Sequence, residues 1–385
     1  MHLSKKLRRH IQRGHPWVFD KGVVDGPSLK AGQLVRVTDE RGAFALAFAD
    51  PESPIRLRIL DTRTRVEIDD EWMAARVTRA ALRRCQDPRL ARTDALRLIH
   101  GEADGVPGLV LDMYAGHAIV LLDGAASEKL WFPLLPGVRK ALDKAGFAVK
   151  SLSARRVGRE RNWLGDPPPE NVTIREGEAT MEVDLRRGQK TGLFLDQREN
   201  RALVGSRSKG LRVLNLFSYT GGFSLAAALG KAARTTTVDI AGPAIEAAKR
   251  NFVLSGLDPS KHEFAAADVF DFLEEAIAAK RQFDLVICDP PSFASSEKAL
   301  SKGLRAYRRV NEMAMRVVAK NGLFCSASCS SHVTAEHLLE VVADSAMEVR
   351  RDLVVTDQRG AASDHPVRPG FPEGRYLSFF LCAME

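Results

Sequence analysis

The stretch Val213-Leu214-Asn215-Leu216-Phe217-Ser218-Tyr219-Thr220-Gly221-Gly222-Phe223-Ser224 constrains this chain more than any other. An apolar run gives way to small polar residues and two glycines, and an Ala-rich helical pattern follows from Leu225 to Lys231. That order is a strand, a tight turn and a helix start. Open α/β sheets hold a nucleotide-like cofactor at such a turn, because glycine lets the backbone come close and the helix start presents free N–H groups. Asn215, Phe217, Ser218, Tyr219, Thr220 and Gly221 are therefore candidate cofactor contacts.

A Gly-rich turn alone is weak evidence, but three carboxylates follow it at successive expected strand ends. Asp239 closes Thr235-Thr236-Thr237-Val238-Asp239, roughly 20 residues past the glycines, where an acid suits two ribose hydroxyls. Asp268 follows Phe264-Ala265-Ala266-Ala267 and is placed to accept from an adenine amino group. Asp289 ends the apolar run Phe283 to Cys288 and precedes Pro290-Pro291-Ser292-Phe293. Two prolines make a stiff, extended turn that fixes one carboxylate at the substrate edge of the sheet. Each acid taken singly could equally be a helix N-cap or a turn residue. The turn has no G-x-G-x-x-G fingerprint, and Phe217 and Tyr219 crowd the place a pyrophosphate needs. S-adenosylmethionine (SAM), which has no pyrophosphate, fits better than a dinucleotide.

A chain of 385 residues implies two or three domains. Its net charge of +8 favours a polyanionic partner. Five cysteines without a C-x-x-C pair argue against a disulfide framework and against zinc, so no metal is expected. A basic start and the lack of a long apolar run point to a cytoplasmic chain with no membrane partner. Three regions separate. Residues 1–70 read as short strands closing a small barrel, from Gln33–Val37, Ala43–Ala49 and Ile55–Leu60. Residues 71–183 read as mixed α/β, with Asp70 capping a helix through Trp72 to Cys85 that shows Arg76, Arg79, Arg83 and Arg84 on a basic face. Residues 184–385 carry the alternating strand–helix pattern. Basic residues interleaved with aromatics make Lys5, Lys6, Arg8, Arg9 and Arg13, before Trp17 and Phe19, candidate RNA contacts, as are Arg155, Arg156 and Arg159. The alternative for the first group is a solvated basic face with Trp17 and Phe19 plugging the barrel.

Taken whole, the sequence resembles the bacterial ribosomal RNA large-subunit methyltransferase I family. The likeness spans nearly all of it: His15-Pro16-Trp17-Val18-Phe19, His100 to Leu109, Gly188-Gln189-Lys190-Thr191-Gly192-Leu193-Phe194-Leu195-Asp196-Gln197-Arg198, Asn215 to Ser224, Asp289-Pro290-Pro291-Ser292-Phe293, Asp364-His365-Pro366 and Pro372 to Tyr376. The resemblance implies a PUA domain, a central mixed α/β domain and a C-terminal class I SAM-methyltransferase (Rossmann-like) domain. It implies SAM as methyl donor and large-subunit ribosomal RNA as partner, and leaves a homodimer open. Asp239, Asp268 and Asp289 fall on the family's cofactor and target-base positions, and Asp196-Gln197-Arg198 on the segment flanking the SAM pocket.

Which atom is methylated turns on Cys329, at the expected end of the strand Leu323 to Ser328. Carbon 5 of cytosine is a poor nucleophile, and a thiolate adding to carbon 6 makes carbon 5 enamine-like. In the resembling family Ser328-Cys329-Ser330 carries that nucleophile, with Asp289 holding the cytosine edge. The other possibility for Cys329 is a small buried hydrophobe. Some related enzymes place a second cysteine in the Asp-Pro-Pro turn; Ser292 stands there here, which leaves the proton-removing base unassigned. The rivals are an RNA nitrogen methyltransferase using Asp289 alone, a small-molecule methyltransferase, and an RNA-binding assembly factor without catalysis.

Overall fold

The computed structural model describes residues 1–4, 7–25, 28–157, 163–294 and 296–385. The chain folds into two compact units. The first takes residues 1–175, 183–195 and 363–374; the second takes 176–182, 196–362 and 375–385. The chain crosses between the units more than once: 176–182 belongs to the second, and 183–195 and 363–374 to the first.

The first unit begins with a six-stranded sheet in the order Trp17–Phe19, Ile55–Asp61, Gly42–Ala49, Leu34–Asp39, His2–Leu3, Val23–Asp25. The strand Gly42–Ala49 runs through its middle and is buried from Phe44 onward, so small alanines alternate with Phe44, Leu46 and Phe48. Leu3, Val18, Val37 and Leu57 complete that core, with Ile11 from the helix Leu7–Gln12. Trp17 does not plug it. Its indole Nε1 donates to Glu102 Oε1 at 2.9 Å and its ring meets Phe371 edge-on at 4.6 Å, while Phe19 is exposed. Strand alternation explains this: Val18 faces inward, so its neighbours face out.

A five-stranded sheet follows, in the order Trp163–Leu164, Ser151–Arg156, His117–Leu122, Leu109–Tyr114, Ala95–His100. Ser151–Arg156 runs parallel to His117–Leu122, and the helices Gly124–Trp131 and Leu135–Lys144 lie in the connection that parallel pairing needs. The helix Asp70–Cys85 is capped by Asp69, not Asp70: Asp69 is extended and its carboxylate accepts from Trp72 N at 2.9 Å. A cap must reach the third helical N–H from outside the helix, which Asp70, already in the first turn, cannot do. The expected basic face is not free either. Arg84 is buried in a two-bond pair with Asp104 (2.9 and 2.7 Å), Arg83 joins the same carboxylate, and Arg76 pairs with Asp61 at 2.8 Å.

The second unit is built on a seven-stranded sheet. After α1 (Arg198–Arg207) come β1 (Arg212–Leu216), α2 (Gly222–Leu229), β2 (Arg234–Asp239), α3 (Gly242–Leu254), β3 (Glu263–Ala266), α4 (Val269–Ala278), β4 (Phe283–Cys288), α5 (Leu300–Arg316), β5 (Val318–Ser328), α6 (Ala335–Glu348), β6 (Leu353–Arg359) and β7 (Ser378–Met384). The spatial order is β3-β2-β1-β4-β5-β7-β6, parallel except for β7. Both faces of the central strands are covered, so β4 and the latter half of β5 are buried almost throughout. Leu285, Ile287, Cys325 and Ala327 pack on one side with residues of α1 and α2; Val286, Cys288 and Phe324 pack on the other with α4, α5 and α6. The order reverses at β1, which places a binding crevice at the carboxyl ends of β1 and β4.

Candidate active site

The turn after β1 is strained where the sequence is not glycine. Phe217 and Tyr219 sit at φ 55° and 48°, a left-handed conformation costing about 1–3 kcal/mol each. Asp239, at the end of β2, holds the turn in place: its Oδ2 accepts from Tyr219 N at 2.8 Å and its Oδ1 from Ala241 N at 2.9 Å. Gly221 also takes a left-handed φ of 75°, and a Cβ there would come within 2.8 Å of the Ala248 side chain on α3. Asn215 is buried and donates to Ser224 Oγ at 3.0 Å, which Thr237 Oγ1 also reaches at 2.8 Å. Thr220 gives its carbonyl to Asn251. Among the described residues, Asn215 Oδ1 and Ser218 Oγ are buried without a hydrogen-bond partner. Two orphaned polar atoms beside a strained, glycine-dependent turn fit a polar cofactor seated against it.

Asp268 is the N-cap of α4, its Oδ1 accepting from Phe270 N at 2.8 Å and from Asp271 N at 3.4 Å. Both bonds run to one oxygen, so capping and a ligand contact through Oδ2 are compatible. Next to Asp239, Ile240 is the most exposed large apolar residue among the described residues, at 72%. Sequence reasoning missed it. The available signal was an apolar residue directly behind a strand-end acid, where solvent exposure makes sense against a flat ligand.

Asp289 lies half-buried after β4, and its Oδ2 accepts from Gln197 Nε2 at 3.0 Å. Of the expected cofactor-flanking segment, Gln197 thus meets Asp289. Asp196 turns its Oδ2 to the Tyr376 hydroxyl at 2.7 Å, and buried Arg198 lies 3.8 Å from Glu176. Glu176 is fixed in turn by Arg201 through bonds of 2.7 and 2.6 Å.

Cys329 follows β5 directly, and the register pairing Cys288 with Ser326 brings Asp289 and Cys329 to one edge of the sheet. Hydroxyl groups anchor both its neighbours. Ser328 Oγ donates to the Tyr307 hydroxyl at 3.0 Å, and Ser330 Oγ donates to the Ala294 carbonyl at 2.7 Å. Phe293 of the Asp-Pro-Pro loop packs edge-on against Tyr307 (4.9 Å) and Phe217 (6.5 Å), which joins the cofactor turn to the cysteine loop. Burial lifts the Tyr307 hydroxyl to about 12 against opposing bonds from Ser328 and the Phe293 backbone, and the charges of Cys329 and Asp289 add to the rise. Cys329 is half-exposed; Cys288, Cys325 and Cys382 are buried, and desolvation pushes all three thiols up, Cys382 to about 12.

The basic residues divide. Arg9 and Arg13 are exposed. Arg8 bonds Asp39 at 2.7 Å and lies over the Phe44 ring at 4.2 Å, holding the Asp39 carboxyl at about 2. Arg155 is buried against Trp163 and donates to the Lys190 carbonyl, and Arg156 bonds Glu128 at 2.8 Å. Arg8 and Arg155 therefore belong to the protein's own framework. Lys5, Lys6 and Arg159 lie outside the described residues. Among the described residues no group of three or more His, Cys, Asp or Glu side chains could hold a metal ion, and no helix is long and apolar enough to cross a membrane.

Fold and site together define a Rossmann-like cofactor-binding domain of the class I methyltransferase type. The family model for S-adenosylmethionine-dependent methyltransferases matches residues 149–354, and a PUA-like domain model matches residues 1–62. A ribosomal RNA large subunit methyltransferase of Deinococcus radiodurans is 38% identical over 403 residues, covering 100% of this chain and 97% of its own length. A ribosomal RNA large subunit methyltransferase I of Tolumonas auensis is 34% identical over 386 residues, covering 98% and 97%. A protein described as a methyltransferase and crystallised with SAH shares the fold, with a TM-score of 0.87 at 22% identity over 100% of this chain and 99% of its own. The chain belongs to the ribosomal RNA large subunit methyltransferase I family of SAM-dependent methyltransferases, and SAM is its cofactor.

Proposed function

We propose that this methyltransferase modifies carbon 5 of a cytosine in large-subunit ribosomal RNA through a covalent adduct with Cys329. The names of the relatives support the RNA class. The single observation carrying the chemistry is the position of Cys329: of the four cysteines in the methyltransferase sheet and its edge, it alone is reachable, and it lies at the same sheet edge as Asp289.

SAM, when bound, supplies an electrophilic methyl group. Asn215, Phe217, Ser218, Tyr219, Thr220 and Gly221 would cradle it, with Asp239 on its ribose, Ile240 against its adenine and Asp268 on the adenine amino group. Asp289 holds the amino edge of the base. The Cys329 thiolate adds to carbon 6, and the electron pair moves to carbon 5, which becomes nucleophilic enough to take the methyl group, the sulfonium carbon–sulfur bond breaking to leave S-adenosylhomocysteine. Loss of the carbon-5 proton and rupture of the carbon–sulfur bond return the thiolate. The anchored hydroxyls of Ser328 and Ser330 keep the thiol at the mouth, and Phe293 stiffens the loop opposite. In this division of labour residues 1–70 bind RNA and the second unit, built on the seven-stranded sheet, carries methyl transfer.

RNA containing 5-fluorocytosine tests this, because fluorine at carbon 5 blocks the last proton loss and strands the adduct. A protein–RNA complex surviving denaturing electrophoresis, absent in Cys329→Ala, is the expected result. No complex with an otherwise active enzyme contradicts it.

A further inference from the structure

Resting on the assignment of Asp289 to the target base, we infer that Asn200 and Gln197 form a buried amide relay that fixes how Asp289 presents its carboxylate. Gln197 is then a positioning and specificity-determining residue. The orientation of each amide follows from one end of the chain of bonds. The Gly360 carbonyl can only accept, so Asn200 turns Nδ2 toward it, at 3.2 Å. The same Nδ2 reaches Gln197 Oε1 at 2.6 Å. With Oε1 committed, Gln197 offers Nε2, and it is Nε2 that meets Asp289 Oδ2 at 3.0 Å. Gln197 is 3% exposed and Asn200 1%, so water cannot substitute for either partner. Four segments contribute: the end of β6, α1, the turn Leu195–Gln197 and the loop after β4.

The relay has a chemical consequence. An N–H donor on one carboxylate oxygen favours the ionised form. An ionised Asp289 is an acceptor only, and it matches the exocyclic amino group of cytosine. Uracil offers a carbonyl at that place, setting two acceptors face to face. Sites that hydrogen-bond a specific donor reject its isostere by about 10⁴-fold, because the mismatch leaves polar groups unpaired. The surroundings suit this assignment. Cys288, on the same strand, has its thiol pushed up by burial, and Tyr307 on α5 stays a neutral phenol near Cys329. On the turn carrying Gln197, Asp196 is taken by Tyr376 and Arg198 lies by Glu176.

Gln197→Glu and Gln197→Met, measured with SAM and target RNA, test the relay. Glutamate would set a second carboxylate against Asp289, and such a pair keeps a proton to higher pH. The expected result is an acidic limb of the kcat/KM profile raised by about 2 pH units in Gln197→Glu. Gln197→Met, nearly isosteric, should lose about 10-fold or more in kcat, with no limb shift and with SAM affinity retained. It should also narrow the preference for cytosine over a uracil placed at the target position. SAM affinity falling in step with activity in both variants would overturn the relay and make Gln197 a cofactor contact. A uniform loss in Gln197→Glu with no limb shift would overturn it as well. The labelled nucleoside from wild-type enzyme is identified in the same assay, so failure of the cytosine assignment is seen separately.

Discussion

Asp239 holds the turn after β1, and the ribose contact we propose for it would add a ligand role to that structural one. It carries the backbone N–H of Tyr219, and with it a turn held in a left-handed conformation at two non-glycine residues. Removing it should relax that turn and withdraw the ribose partner. Asp239→Ala is expected to weaken SAM binding by about 10- to 100-fold, the loss of one or two charge-assisted hydrogen bonds, as measured by calorimetry. An affinity within twofold of wild type would contradict this role. Cys329→Ala separates from it cleanly: methyl transfer should fall by at least ~10³-fold while SAM still binds. At this scale the sequence was informative where a residue's task depends on its own neighbourhood. Asp239 closes a run of threonines and valine, Asp289 directly follows a mostly apolar strand, and that pattern is local. The partner of Gln197 lies 92 residues away and the bond's direction depends on a third amide, so no local pattern could have shown it.

Among the elements, the motifs around Asp104 and Asp364 turn out to be framework. Arg84, on the helix Asp70–Cys85, is buried with both terminal guanidinium nitrogens on Asp104, and it also reaches the Asp364 carbonyl at 2.8 Å. Arg97 pairs with Asp112 through bonds of 2.7 and 2.9 Å, and its backbone N–H donates to Asp364 Oδ2. Read along the helix, Arg76, Arg83 and Arg84 look like a solvated basic stripe, since their acids, Asp61 and Asp104, arrive from other segments. Asp104→Asn would leave Arg84 buried without its counter-charge. We expect a loss of about 3–5 kcal/mol in urea unfolding, against less than 1 kcal/mol for an exposed pair such as Lys249 with Glu246. A small effect at Asp104 would mean that water reaches Arg84. The cap of the same helix was legible only to within one residue, because Asp69 and Asp70 are both acids and backbone geometry alone chooses between them.

The whole molecule is basic, with a net charge of +8, yet much of that charge is spent internally on Asp39, Asp104, Asp112 and Glu176. The phosphate contacts we propose are the exposed Arg9 and Arg13. Binding to large-subunit RNA should weaken steeply with salt, and the double variant Arg9→Ala, Arg13→Ala should lower the log–log slope by about 2. An unchanged slope would place the contacts elsewhere. The order β3-β2-β1-β4-β5-β7-β6 puts the cofactor turn, Asp289 and Cys329 at one edge, and the alternating pattern of the sequence foretold that much of the architecture. The excursions 183–195 and 363–374 were not legible, since each is a short loop-rich stretch whose unit is chosen by tertiary packing. The most direct measurement uses methyl-labelled SAM and unmodified large-subunit ribosomal RNA, digested afterwards to nucleosides and separated. Label in 5-methylcytidine, lost in Cys329→Ala, is the predicted result. Label in a methylated guanosine or adenosine, or in 5-methylcytidine undiminished by that substitution, would contradict it.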